Sequence, residues 1–326
     1  MKRLVRGLLL LSSALLSSNA AWAQARRMLW GDTSRLGRPF AKDPSVIRFG
    51  GRYLLYYSMP PYADDHAGNG WAIGIAESRD LIEWIKAGEF VAGAEYEARG
   101  IAAPFAKVID GRVHLLYQTY GNGAHDAICH AVSGDGLRFE RDGTNPIFYP
   151  TGDWNAGRAI DAEIVKDGKR WLLYAATRDP AMKEQMVVGA VSYGGWSRSE
   201  WKLMADHPLL KPELAWEQNC IEAPTLLQHD GVFYMFYAAA YNNAPQKIGL
   251  ARSTDGVRWE RVGTQPFLAN GKPGEWNSSE SGHPGLFVDD DGQTYLFFQG
   301  NNDNGRTWLL SFVKLGWRNG LPYIAS

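Results

Sequence analysis

Apolar positions along this chain fall into short runs that recur five times, each turning at a glycine and re-emerging as a second, more aromatic run. Runs of this length rich in Val, Ile, Leu and Tyr and bounded by Gly and Asp read as strands, and the turn between them as a hairpin. The five copies open at Asp43-Pro44-Ser45, Ala103-Pro104-Phe105, Asp161-Ala162-Glu163, Glu222-Ala223-Pro224 and His283-Pro284-Gly285, a period of about 60 residues. Asp-Gly sits at 110–111, 167–168, 230–231 and 291–292, with Gly50-Gly51 in the first copy. It is the strongest short signal for a two-residue hairpin. A third strand of small and apolar residues follows, as in Ala72-Ile73-Gly74-Ile75 and Ile248-Gly249-Leu250-Ala251, and then a second turn at Gly134-Asp135-Gly136 or Thr254-Asp255-Gly256. Trp84, Phe139 and Trp259 open a fourth strand.

Four antiparallel strands per repeat and five repeats predict an all-β fold, a five-bladed β-propeller closed around a narrow axial channel. A β-sandwich would not account for five matched units of equal length. Leu29-Trp30 and Leu321-Pro322-Tyr323-Ile324 both qualify as the segment that completes the last blade.

The first strand of a propeller blade lies innermost, so residues that open these strands meet at one mouth of the channel. The aligned positions are Asp43, Ala103, Asp161, Glu222 and His283: three carboxylates and one imidazole. Gathering carboxylates costs energy that folding does not require, which makes the ring a candidate catalytic site. Hydrolysis of a glycosidic bond needs one carboxylic acid to protonate the leaving oxygen and one carboxylate to activate water or attack carbon. Glu222, among Cys220, Ile221, Ala223 and Pro224, is expected to be the neutral acid; Asp43, beside Lys42, the ionised base; and Asp161 the group that orients the acid and raises its proton affinity.

Composition narrows the partners. The chain has 13 Trp, 15 Tyr and 13 Phe, suited both to a β core and to the apolar faces of sugars, and a formal net charge of -1. That balance argues against nucleic acid, and no block of like charge suggests a membrane surface. Lys2, Arg3 and Arg6 precede an apolar run over 8–16, and Ala21-Trp22-Ala23 has the small residues of a cleavage site. Residues 1–23 are therefore expected to be a bacterial-type signal peptide and 24–326 a single domain, periplasmic or secreted and free of the membrane after cleavage. Cys129 and Cys220 read as strand positions in separate repeats, hence as free buried thiols.

Lys42-Asp43-Pro44-Ser45, Ala159-Ile160-Asp161-Ala162-Glu163 and Ile221-Glu222-Ala223-Pro224, in that order and spacing, resemble the carboxylate triad of glycoside hydrolase family 43. The resemblance covers all five repeats, and the chain is similar also to family 117. It implies a propeller glycosidase that inverts the anomeric carbon, with Asp43 as base, Glu222 as acid and Asp161 as modulator. His283 matches a fifth-blade histidine that in some members faces a central calcium or water cluster. The resemblance thus implies no required cofactor, but a structural calcium ion in the channel with His283 as a ligand. Two features depart from the pattern. Ile101-Ala102-Ala103-Pro104 replaces the Trp-Ala-Pro-Asp often found in the second blade, and Ile221 stands where family 117 has a histidine. Arg178-Asp179-Pro180 matches a family 32 fructosidase motif but falls after a second strand.

Loops leaving the second strands rise toward the same mouth. Candidate substrate contacts are Gln118, Tyr120, Arg158, Arg178, Asn242 and Gln299, with His66 and Trp71 from the long 60–71 loop and Ser281 and His283 from the fifth repeat. The length of that loop suggests a pocket and release of terminal sugars from a plant or algal oligosaccharide of arabinoside, xyloside, galactoside or anhydro-galactoside type. A non-catalytic carbohydrate-binding propeller is the alternative.

Overall fold

The computed structural model describes residues 27–325 apart from 65, 67 and 68. The expected signal peptide and its cleavage point lie outside the described residues. Twenty strands form five sheets of four, each antiparallel and each in chain order from the inner strand outward. Blade one comprises β1 (Lys42–Phe49), β2 (Arg52–Met59), β3 (Ala72–Ser78) and β4 (Ile85–Phe90). The inner strands of the other blades are β5 (Ile101–Ile109), β9 (Ile160–Asp167), β13 (Ile221–His229) and β17 (Glu280–Val288).

The hairpin turns follow the sequence in three blades. Gly50-Gly51, Asp110-Gly111 and Asp230-Gly231 all have positive φ at both residues, the backbone of a type I′ turn. In blade three the turn sits one residue later than the Asp-Gly pair: Asp167 pairs with Arg170, leaving Gly168-Lys169 at the tip. Blade five has a longer connection between Val288 and Thr294.

Alternating side chains put apolar groups on both faces of every sheet, and the buried ones sort into five clusters, one at each junction between blades. Burying each Leu or Phe side chain contributes roughly 1.5–3 kcal/mol, so this is the main term holding the ring. Tyrosines from second strands add directional ties, Tyr56 and Tyr174 donating to Gly136 O and Gly256 O in the turn of the next blade, both at 2.8 Å. Cys129 and Cys220 are free and buried in different blades.

Both candidate end segments take part in closing the ring. Leu321–Ala325 forms the outer strand of blade five, pairing with the far half of Leu309–Arg318, while Trp30 bridges to Leu310 near that strand's start. Blade five also packs closely on blade one: a Cβ at Gly285 would lie 2.0 Å from the Pro44 carbonyl oxygen.

Candidate active site

Every inner strand begins with the same irregularity. Two residues face one on the neighbouring strand, as where 43 and 44 lie between the pairs Lys42↔Ser58 and Ser45↔Tyr56. The first bulged residue has left-handed backbone in each blade, at Asp43, Ala103, Asp161, Ala223 and His283, with φ between 42 and 53°. Such backbone costs a non-glycine residue on the order of 1–2 kcal/mol, and bulges re-aim side chains, so its fivefold use at one mouth builds a site. The alignment made from sequence is corrected here. In blade four the bulged residue is Ala223, and Glu222 precedes it, in the place held by Lys42 in blade one and Gly282 in blade five.

His283 stands between two of the carboxylates. Its Nδ1 lies 2.9 Å from Asp43 Oδ1 and its Nε2 2.9 Å from Glu222 Oε1, with the imidazole buried. Oxygens of Asp161 and Glu222 come within 4.8 Å of each other and of a His283 nitrogen. Burial disfavours charge on the imidazole, but the two carboxylates outweigh it and raise its pKa well above the ordinary value. Burial likewise works against ionised Asp43; the charge and hydrogen bond of His283, then Lys42 and Ser58, hold its carboxyl well below the usual range.

Glu222 departs from the expectation of a neutral acid in apolar surroundings. Burial would raise its pKa, yet His283 and Gln246, with Lys42 nearby, pull it below the usual range. Gln246 donates to Oε1 at 2.7 Å, and Gln185 donates to Oε2. The raised group is Asp161, pushed to about 7 by burial and by Glu222 and Asp43 against the pull of His283 and Arg158. Its buried Oδ2 has no partner, whereas both oxygens of Glu222 accept hydrogen bonds. The pair therefore retains a proton into the neutral range.

The other residues singled out from sequence are placed as follows. Gln118 is buried, its Oε1 accepting from Asp161 N at 2.6 Å, and Gln299 Oε1 accepts from Asp43 N at 3.0 Å. Both fix backbone of the site rather than face the cleft. Asn242 Oδ1 accepts from Gln299 Nε2, and Ser281 is buried with Asn277 donating to its hydroxyl. Trp71 packs between Phe40 and Tyr120, at 5.9 and 5.3 Å between ring centres, making an aromatic wall. His66 is exposed, stacked on Tyr62 and 2.6 Å from Asp64. Arg158 and Arg178 both donate to Gln185 Oε1, at 3.2 and 2.8 Å.

Sequence reasoning missed Gln185 and Gln246 as members of the site, whereas Lys42 is where the sequence placed it, beside Asp43. Lys42 Nζ lies 4.6 Å from the Trp308 ring centre, and Asp43, Glu280 and Glu222 outweigh its burial and keep it charged. Glu280 is buried, accepting from Gln299 at 2.9 Å and from Asn243 N at 2.5 Å.

Calcium takes six to eight oxygen ligands. This cluster offers two buried carboxylate oxygens without a hydrogen-bond donor, on Asp43 and Asp161, and an imidazole whose two nitrogens already face carboxylates, far short of six oxygens. As arranged, these residues do not fit a calcium ion; the charge at the centre is supplied by His283.

The fold recurs in known proteins. The sequence profile of Glycosyl hydrolases family 43 matches residues 36–322. A sucrose-6-phosphate hydrolase of Zymomonas mobilis is 27% identical over 191 residues, 54% of this chain and 36% of that protein. The chain spans from about a third to less than two thirds of the length of the curated relatives it matches. Among solved structures, a thermostable family-43 glycoside hydrolase superposes with a TM-score of 0.71 at 20% identity, covering 88% of this chain and 93% of that one. An endo-1,4-beta-xylanase from Bacteroides thetaiotaomicron gives 0.68 at 20% identity, covering 88% and 94%.

Proposed function

Because the chain belongs to glycosyl hydrolase family 43 and is therefore a glycoside hydrolase, we propose that it inverts the anomeric carbon, with Asp43 as base and Glu222 as acid. The observation that carries this reading is the single imidazole bridging Asp43 and Glu222. Contacts of 2.9 Å to the two nitrogens of one ring put a whole imidazole between the two carboxylates, which favours the wider separation of about 6.5–9.5 Å that leaves room for an attacking water over the roughly 5 Å of retaining enzymes.

In the proposed cycle, ionised Asp43 takes a proton from water as its oxygen attacks the anomeric carbon. Glu222 gives a proton to the departing oxygen, having drawn it from the store it shares with Asp161. The wall of Phe40, Trp71, Tyr120 and Trp308 supports a pocket for one terminal sugar of a plant or algal oligosaccharide, and so an end-cleaving mode. Export to the periplasm or medium is part of the proposal, supported by the basic and apolar pattern of residues 1–23; a secreted product beginning at Gln24, read by mass spectrometry, tests it.

Turnover is tested on arabinosides, xylosides and galactosides, natural and aryl, beside Glu222→Gln and Asp43→Asn. An acid at Glu222 predicts that Glu222→Gln fails on natural linkages but keeps much of its rate on aryl glycosides whose leaving group needs no proton. Asp43→Asn should fail on both, and nuclear magnetic resonance of the first product should show the inverted anomer. A retained anomer, or sugar binding without any turnover, overturns the reading, the latter in favour of a carbohydrate-binding propeller.

A further inference from the structure

The two arginines beside Glu222 are unequally supplied with counter-charge. Arg158 Nε lies 3.4 Å from Asp126 Oδ2 and donates to Gly123 O at 3.1 Å. Arg178 makes no contact ion pair among the described residues and feels Asp126 only at longer range. Its contacts among the described residues are the Gln185 amide oxygen at 2.8 Å, the Met182 carbonyl at 3.4 Å and the face of Tyr241, whose ring centre is 5.5 Å from the guanidinium carbon. The neighbouring Asp179 is spent on its own turn, accepting from the backbone N–H groups of Ala181, Lys183 and Glu184. Two guanidinium groups thus converge on one neutral amide oxygen, and among the described residues Asp126 is the one carboxylate in ion-pair contact with either.

The cations on the other side of the site are differently placed. Lys42 has Asp43, Glu280 and Glu222 around it, and His283 touches two carboxylates. The uncompensated charge therefore lies on the Glu222 side, where the Tyr241 hydroxyl is within electrostatic reach of both arginines and of Glu222. Like charges held together repel, and a guanidinium fork matches a carboxylate with two parallel hydrogen bonds.

We propose that Arg178, with Arg158 and Tyr241, forms a subsite for a carboxylate on the leaving-group sugar, so that the enzyme removes a terminal neutral sugar from a hexuronate. This rests on Glu222 being the acid, since the group that protonates the departing oxygen faces the leaving sugar. The carboxylate of that sugar lies in the fork of Arg178, with the Tyr241 hydroxyl as a further donor. The sugar ring in front of Asp43 carries no charge, because an anion there would meet Asp43 and Glu222.

The probes are the leaving sugars themselves. D-galacturonate and D-glucuronate are titrated calorimetrically into Asp43→Asn protein beside D-galactose, D-glucose, inorganic sulfate and inorganic phosphate. The uronates should bind at least about tenfold more tightly than the neutral sugars, the worth of one charge-assisted pair, and more weakly as salt rises. Arg178→Lys, which keeps the charge and loses the fork, should abolish most of that preference, as should Arg178→Met. Neutral sugars binding as well as uronates, an unchanged preference in Arg178→Lys, or sulfate binding more tightly than either uronate would each overturn the carboxylate subsite. Failure here, with Glu222→Gln still selective for aryl leaving groups, removes the subsite and leaves the acid assignment standing.

Discussion

His283 Nε2 lies 2.9 Å from Glu222 Oε1, and the same ring reaches Asp43 through Nδ1. One buried cation therefore sets the proton affinity of both groups placed at the reaction. His283→Ala should raise the affinity of Asp43 and Glu222 together, because the charge and hydrogen bond that lower them are gone. Asp43 would then need a higher pH to be ionised as base, so the acid limb of the kcat/KM profile should move to higher pH and the plateau fall by about 10²-fold or more. A pH–rate profile checks both; an unmoved acid limb would show that the imidazole is only a spacer.

Asp161 makes the opposite prediction for stability and for activity. Its pKa is raised to about 7 in the folded protein, chiefly by burial. The folded state thus binds a proton that the unfolded chain releases above about pH 4. The stability that Asp161 contributes is full below that pH and lost as pH rises toward 7. Asp161→Asn, neutral at every pH, should melt higher than the wild type at pH 8, with little difference at pH 4. Its activity should fall, because the proton shared with Glu222 is removed. Melting curves at the two pH values, with turnover alongside, decide the matter.

The period of about 60 residues and the heads of the inner strands were legible because each blade repeats the same strand, turn and bulge. Glu222 was misplaced by one residue because alignment by charge outweighed alignment by proline. Pro44, Pro104, Pro224 and Pro284 each follow the left-handed residue, and that ruler selects Ala223. Electrostatics was less legible. Glu222 has apolar neighbours in sequence, but its neighbours in space are His283, Gln246 and Gln185, from three other segments. Nothing local marks those glutamines; both stand at the entrance to a third strand, Gln246 in the blade of Glu222 and Gln185 in the blade before it, and only the assembly of these sheets brings them to the carboxylate.

Gln185 should behave as a positioning residue. Arg158 and Arg178 hold its amide oxygen, which leaves its N–H groups to Glu222 and to the Cys220 sulfur at 3.6 Å. Gln185→Leu removes a donor that favours ionised Glu222, so the proton affinity of the acid should rise and the alkaline limb of kcat shift upward. Loss of orientation should lower kcat by roughly 10–100-fold with a smaller change in KM. A uniform loss of activity with an unshifted alkaline limb would mean that Gln185 serves only the fold.

Gly285 tests how the ring is closed. A methyl group there would lie 2.0 Å from the Pro44 carbonyl oxygen, far inside contact distance, and backbone rather than a mobile side chain would have to yield. Gly285→Ala should therefore push β17 away from β1 and cost about 1–3 kcal/mol, the usual penalty of overpacking. The same shift separates His283, two residues earlier on β17, from Asp43 on β1. Thermal melting should drop by several degrees, and the acid limb of the pH–rate profile should move in the direction argued for His283→Ala, though by less. A destabilised protein with an unchanged profile would show that the 2.9 Å contact between His283 and Asp43 is held from the Glu222 side and does not depend on how blades one and five meet.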